Sequence, residues 1–155
     1  MREKPRMGMT GLARAVLVVA GLISAGLAWP QAALAQVETP APGTPLRKAI
    51  LDALRPMVAA EVGAPVEFGS VNMRVLGEWA FVIAVPQRPG GGPIEYIYSR
   101  YQSAVDQDMF GGATAALLRE TPNGWLVYEY NLGATDVVWL DWGNWYPVPS
   151  EVFPN

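Results

Sequence analysis

The chain predicts an α+β domain: an N-terminal helix packed on a four-stranded antiparallel sheet of two hairpins, with a short aromatic helix at the C-terminus. Three observations carry this reading. Leu46, Ile50, Ala53, Leu54 and Met57 recur at spacings of three and four within Pro45 to Val62, with Arg47, Lys48, Asp52 and Arg55 opposite. Val71 to Gln87 (VNMRVLGEWAFVIAVPQ) is the densest run of strand formers and is broken once, at Leu76-Gly77-Glu78. Thr114 to Glu120 and Trp125 to Leu132 flank Pro122-Asn123-Gly124, a hairpin turn signal.

Residues 1–35 read as a secretory signal peptide. Arg2, Lys4, Arg6 and Arg14 form a positive start, Ala15 to Trp29 is uncharged and apolar, and Ala33-Leu34-Ala35 before Gln36 is a small-x-small cleavage site. The apolar run falls short of the ~20 residues that span a membrane. Export to a bacterial periplasm, or secretion outside the cell, is therefore expected, with no membrane attachment after cleavage. The whole chain carries a formal charge of −3. Removing the leader takes away four basic residues and one acidic, leaving −6. That balance argues against nucleic acid and anionic lipid as partners, since both are held through Lys/Arg clusters. The chain has no cysteine, so neither a lipidated N-terminal cysteine nor a disulfide is available, and the core alone must hold the domain.

Gln36 to Thr44 (QVETPAPGT) reads as an extended, mobile Pro-rich leader, and 45–155 as a single domain. Thr44 caps the first helix, with Pro45 at its first position, Pro56 as an interior defect and Gly63 as the stop. The first strand runs from Pro65 to Val75 and the second from Trp79 to Val85. The second is apolar on both parities, as a strand covered on both faces must be. Pro86 to Gly112 shows no sustained period and is expected to be a long connector, a class of loop that often carries function. In the last pair Leu126, Tyr128, Tyr130 and Leu132 are expected on one face. Thr135 or Asp136 caps a final helix with Val138, Trp139, Trp142, Trp145 and Tyr146 along one side; Pro147 and Pro149 end it, and Ser150 to Asn155 is left as a tail.

The combination of Arg47 with Ile50-Leu51-Asp52-Ala53-Leu54-Arg55, Glu78-Trp79-Ala80-Phe81-Val82 and Thr135-Asp136-Val137-Val138-Trp139 resembles a family of short uncharacterised exported proteins of Gram-negative bacteria. The resemblance spans most of the chain after the leader. It implies export and a single small domain, and it carries no activity over.

With no histidine and no cysteine, Ser-His-Asp and Cys-His nucleophiles and the usual zinc sites are excluded. Gly90-Gly91-Gly92-Pro93 lacks the Gly-Lys-Ser/Thr ending of a phosphate loop. Asp106 and Asp108 do not extend to a calcium loop, because Phe110 stands where an oxygen ligand is needed. No metal or cofactor is expected. Asp136 and Asp141, around Trp139, are the carboxylates available to a glycan hydrolase. The aromatic surplus weighs more. Tyr96, Tyr98 and Tyr101 on the connector and Trp139, Trp142 and Trp145 near the C-terminus pair large apolar faces with polar edges, which suits sugars, peptides and protein hot spots. The expected function is a non-enzymatic envelope domain that binds a protein, peptide or glycan. The alternatives are a carboxylate-based cell-wall glycan hydrolase and an assembly partner that oligomerises through its C-terminal tryptophans.

Overall fold

The computed structural model describes residues 36–97 and 99–154. The chain divides into two units, Met1–Ala33 and Leu34–Asn155, and every described residue belongs to the second. The signal-peptide reading and Tyr98 lie outside the described residues. No described helix is long and apolar enough to cross a membrane.

Helix α1 spans Pro45–Val62. Thr44, in extended backbone, accepts a hydrogen bond from the Arg47 amide through its side chain, and Gly63 ends the helix in the left-handed region at φ 70. Pro56 lies inside without interrupting the helix. It is exposed, on the side away from the sheet, so its ring and missing amide fall where solvent can take up the freed carbonyl. Ile50, Leu54 and Val58, one turn apart, are fully buried.

Strands β1 (Glu67–Leu76), β2 (Trp79–Gln87), β3 (Thr114–Thr121) and β4 (Gly124–Leu132) form one antiparallel sheet in the order β1-β2-β3-β4. The two hairpins expected from the sequence are therefore joined into a single meander by pairing of β2 with β3, Trp79 opposite Arg119 through Ala84 opposite Thr114. Pairing with β3 stops at Ala84, so Pro86, still opposite Phe68 of β1, stands where β2 has lost one of its two neighbours. Val85, expected to be covered, is 42% exposed.

Two cores lie on the two faces of this sheet. On one, Met73, Val75, Ala80, Val82, Ala84, Ala116 and Leu118 meet Ile50, Leu54 and Val58 of α1. The alanines let the helix approach closely. On the other, Leu76, Trp79, Phe81, Ala115 and Leu117 meet Trp142 and Val152. The domain is thus three layers deep, with β2 and β3 in the middle.

A bulge in β4 decides how its side chains divide. Leu117 pairs with Glu129 and Leu118 with Val127, so Tyr128 is the extra residue. The expected single face of Leu126, Tyr128, Tyr130 and Leu132 is split by it. Tyr128 joins the Trp79 and Phe81 core, while Tyr130 and Leu132 join the helix side.

Both ends of the domain are tied down more firmly than the sequence suggests. The leader is not a free arm: the Glu38 amide and carbonyl pair with the carbonyl and amide of Val75 at 2.7 and 2.8 Å. The Arg47 guanidinium then spans the leader and the sheet edge, donating to the Pro40 carbonyl and the Val71 carbonyl at 3.0 Å each. The bridge covers part of an edge strand that would otherwise invite another chain. At the other end the expected tail is core. Val152 is fully buried, and Arg74 on β1 donates to the carbonyls of Val152 and Glu151 at 3.2 and 2.8 Å.

Thr114, at the start of β3, is fully buried, and its hydroxyl has no hydrogen-bond partner among the described residues. A buried hydroxyl without a partner costs about 1–3 kcal/mol. Thr114→Val keeps the shape and removes the orphan. It should stabilise the fold by about 1 kcal/mol, read as a higher urea midpoint at unchanged slope, whereas an unchanged or lower midpoint would show that the hydroxyl is satisfied.

Candidate functional site

The connector between β2 and β3 is irregular apart from α2, Gln102–Asp106, and a two-residue bridge of Gln87 with Pro93. It folds back on the α1 side of the sheet, and a polar cluster at the end of α1 holds it there. The Glu61 carboxylate accepts hydrogen bonds from the hydroxyls of Tyr101 on the connector, at 2.8 Å, and Tyr130 on β4, at 2.7 Å. Arg100 completes the cluster by an ion pair with Glu61 and a 2.7 Å bond to the Tyr101 oxygen. Glu61 thus ties helix, connector and sheet together while its side chain is 15% exposed.

Burial of Glu61 works against its charge, but the bonds from Tyr130, Tyr101 and Arg100 outweigh that and hold its carboxyl below the usual 4.5. Its partners move the other way. Burial first, then the hydrogen bond to the Glu61 carboxylate, pushes the Tyr130 phenol up to about 12. Burial likewise raises Tyr96 and Tyr101.

Beside the cluster the connector packs three rings. Tyr96 and Phe110 lie 4.5 Å apart between centroids, Tyr101 and Phe110 5.2 Å, and Tyr96 and Tyr101 6.1 Å at 82°. Phe110 is seated by Gly133. A Cβ at Gly133 would lie 1.9 Å from the Phe110 ring, and its φ of 81 also favours glycine. The Gly111 amide donates to the Gly133 carbonyl at 2.8 Å, and the Gly133 amide to Ala113 at 2.7 Å. These two bonds continue the β3–β4 ladder into the end of the connector.

Two concavities flank these rings. One, of about 360 Å³, is lined by Val85, Pro86, Ile94, Tyr96, Val105 and Phe110, with Asp108 among its walls. The other, of about 330 Å³, lies across Phe110 and involves Tyr101, Met109, Leu132, Thr135 and Asp136. Val105 and Met109 carry exposed apolar surface at these openings, 36% and 57% exposed.

Of the six aromatic residues singled out in the sequence, the five described do not converge. Tyr96 and Tyr101 meet on the α1 face. Trp139 and Trp142 lie on the opposite face, both against Phe81, at 5.2 and 6.2 Å between centroids. Trp142 is 3% exposed and serves as core, whereas Trp145 is 62% exposed. The expected single helix is instead a 3₁₀ turn, Val138–Asp141, followed by the one-turn helix α3, Trp142–Trp145. The change in winding turns Trp145 away from the stripe. Asp136 does not cap α3; its carboxylate accepts from the Val137 amide at 2.8 Å. Tyr146 returns to the sheet and donates to Glu129 at 2.9 Å.

Glu61, Arg100, Phe110 and Tyr130 were not anticipated as site residues. A signal for Glu61 exists: it continues the stripe of Ile50, Leu54 and Val58, so a charge falls on the buried face of α1. Asp106 and Asp108 are not joined. Asp106 accepts from Gln102 within α2 at 2.7 Å, and Asp108 stands alone at φ 54 on the cavity wall. Among the described residues no group of acids could hold a metal ion.

Comparison with protein-family models, curated proteins and solved structures finds no match for this chain.

The cluster makes a signed prediction for pH. The fold holds the protonated Tyr130 phenol, so its contribution is full below pH 10 and is lost as pH rises through about 12. Glu61 contributes above pH 4.5 and loses its contribution as pH falls through its lowered value. In a spectrophotometric phenolate titration, Tyr130→Phe should remove the group that ionises near pH 12. Glu61→Gln should lower that ionisation and cost about 1–3 kcal/mol in urea. A titration identical in all three proteins would contradict the geometry.

Gly133→Ala should be far more disruptive than an ordinary surface change, because ring and Cβ cannot share the space. A loss above about 2 kcal/mol is expected, and amide exchange should quicken first in the connector. Gly133→Ala at wild-type stability would show that Phe110 is not seated as described.

Proposed function

We propose that this chain is an exported, non-enzymatic binding domain of the bacterial envelope that takes a protein, peptide or glycan at its connector. One observation carries the reading. An irregular segment is fixed in place by a charged cluster around the partly buried Glu61, yet it leaves open apolar concavities on both sides of Phe110. Pre-organised loops on a rigid sheet are a common way to present a binding surface. The walls supply ring faces, and Asp108 and Asp136 supply acceptors on either side. That combination suits a ligand with an apolar body and hydrogen-bond donors. Tyr96 and Tyr101 shape the floor, and the exposed Val105 and Met109 provide contact.

The C-terminal face supports a second reading. Leu140 and Trp145 are 75% and 62% exposed within a few residues of each other, the kind of surface an assembly partner would bury. Sedimentation decides it: a strict monomer at high concentration removes the oligomer. The hydrolase alternative draws less support. Asp136 and Asp141 are both exposed, whereas a catalytic acid needs a desolvated carboxyl to keep its proton near neutrality.

Binding at the connector is tested by NMR of the labelled protein against peptidoglycan fragments and envelope peptides. Shifts should concentrate in Ile94–Gly112 and Asn131–Asp136. Val105→Asp and Met109→Asp, at exposed positions, should keep the melting temperature within a few degrees and weaken binding about tenfold or more. Shifts confined to Val137–Trp145, or undiminished by either substitution, would move the site off the connector.

A further inference from the structure

The leader offers a modification site. Val37 is half-buried against the Phe81 core, Glu38 is bonded to Val75 through both backbone groups, and the Pro40 carbonyl is held by Arg47. Gln36, one residue earlier, is exposed. Val37, Glu38 and Pro40 are thus anchored, while Gln36 is exposed at the surface. Cleavage after Ala35, which the small-x-small motif predicts, would make Gln36 the first residue with its α-amine beside its own side-chain carboxamide.

We infer that the exported chain is closed at its N-terminus by cyclisation of Gln36 to a pyroglutamyl ring. The inference rests on the export and cleavage part of the functional proposal. The neutral α-amine attacks the side-chain carbonyl carbon Cδ. A bond forms between the α-nitrogen and Cδ, the bond from Cδ to Nε2 breaks, and the proton given up by the amine leaves with Nε2 as ammonia. No oxidant and no co-reactant is needed. The product is a five-membered lactam that carries no charge, where the free terminus would carry an ammonium.

The position gives this ring a purpose. Gln36 and Val37 share a concavity of about 440 Å³ with Leu76, Pro149 and Glu151, so the terminus lies where leader, β1 and C-terminal segment meet. Two residues on, Glu38 covers the Val75 amide and carbonyl at the sheet edge. Aminopeptidases need a free terminal ammonium, and trimming past Glu38 would bare that edge to pairing with another chain. A lactam at Gln36 protects the residue that closes the edge.

The test uses the full chain, expressed with its own leader in a Gram-negative host and recovered by osmotic shock. Intact mass should equal residues 36–155 less one ammonia. Edman chemistry should be blocked until pyroglutamyl aminopeptidase removes the ring. Gln36→Ser, cleaved at the same bond, should read freely by Edman chemistry and be trimmed faster by aminopeptidase. A chain beginning at an open Gln36 that stays open on prolonged incubation at neutral pH overturns the cyclisation and leaves the export reading standing. A mature chain that begins at another residue overturns the cyclisation and leaves export standing, whereas a chain that keeps residues 1–35 overturns both.

Discussion

The structure depends on one constraint: β2 and β3 are apolar on both faces and each needs a cover on each side. Ala80, Val82 and Ala84 alternate along β2 with Trp79, Phe81 and Ile83, and Ala116 and Leu118 alternate along β3 with Ala115 and Leu117. Leaving either face to water would expose several large side chains, each worth about 1.5–3 kcal/mol on burial. Among the described residues α1 is the one long helix, and it covers one face. The remaining cover must come from segments with little regular structure. The connector completes the α1 face, and residues beyond Ala134, joined by Val37 of the leader, cover the other.

Irregular covers have a difficulty that helices do not. Their backbone groups lack a repeating partner, so each must be fixed by particular side chains. Three arginines and two acids do much of this. Arg47 ties the leader to β1, Arg74 ties Glu151 and Val152 to β1, and Glu61 with Arg100 ties the connector to α1 and β4. Glu129 receives Tyr146 on the far face. By contrast Lys48, Asp52 and Arg55 pair along the exposed side of α1, where such contacts add little. The charges that matter bridge elements distant in sequence.

This division explains what the sequence could and could not disclose. Helix α1, the four strands and both tight turns follow from local period, caps and turn residues, and the two apolar parities of β2 announce a covered strand. The covers themselves are tertiary facts. Nothing local to Ser150 to Pro154 marks Val152 as core, because its partners lie on β1 and β2. The expected common face of Leu126 and Tyr130 failed through one bulge, since an added residue reverses every later side chain. The tryptophans were placed on a helix because Val138 to Tyr146 has helical spacing, but a 3₁₀ turn precedes α3 and Trp145 no longer aligns. Glu61 was legible in principle, as a charge on a buried stripe. Its partners Tyr101 and Tyr130 were not, since they come from a loop and from a strand beyond the bulge.

The same logic separates the aromatic residues by role. Trp79 and Trp142 are buried because no long helix of the described residues covers the far face, and large rings fill its depth with few residues. Tyr96, Tyr101 and Phe110 pack as a cluster because the connector must cover the sheet beyond the reach of α1. Their hydroxyls and ring edges are only partly used in that task, and the openings on either side of Phe110 are what remains when rings rather than a helix form a cover. A helix there would present a filled, convex surface. The connector presents floor and walls instead, and that difference in cover is the physical ground on which the proposed binding function is assigned to it and not to α1.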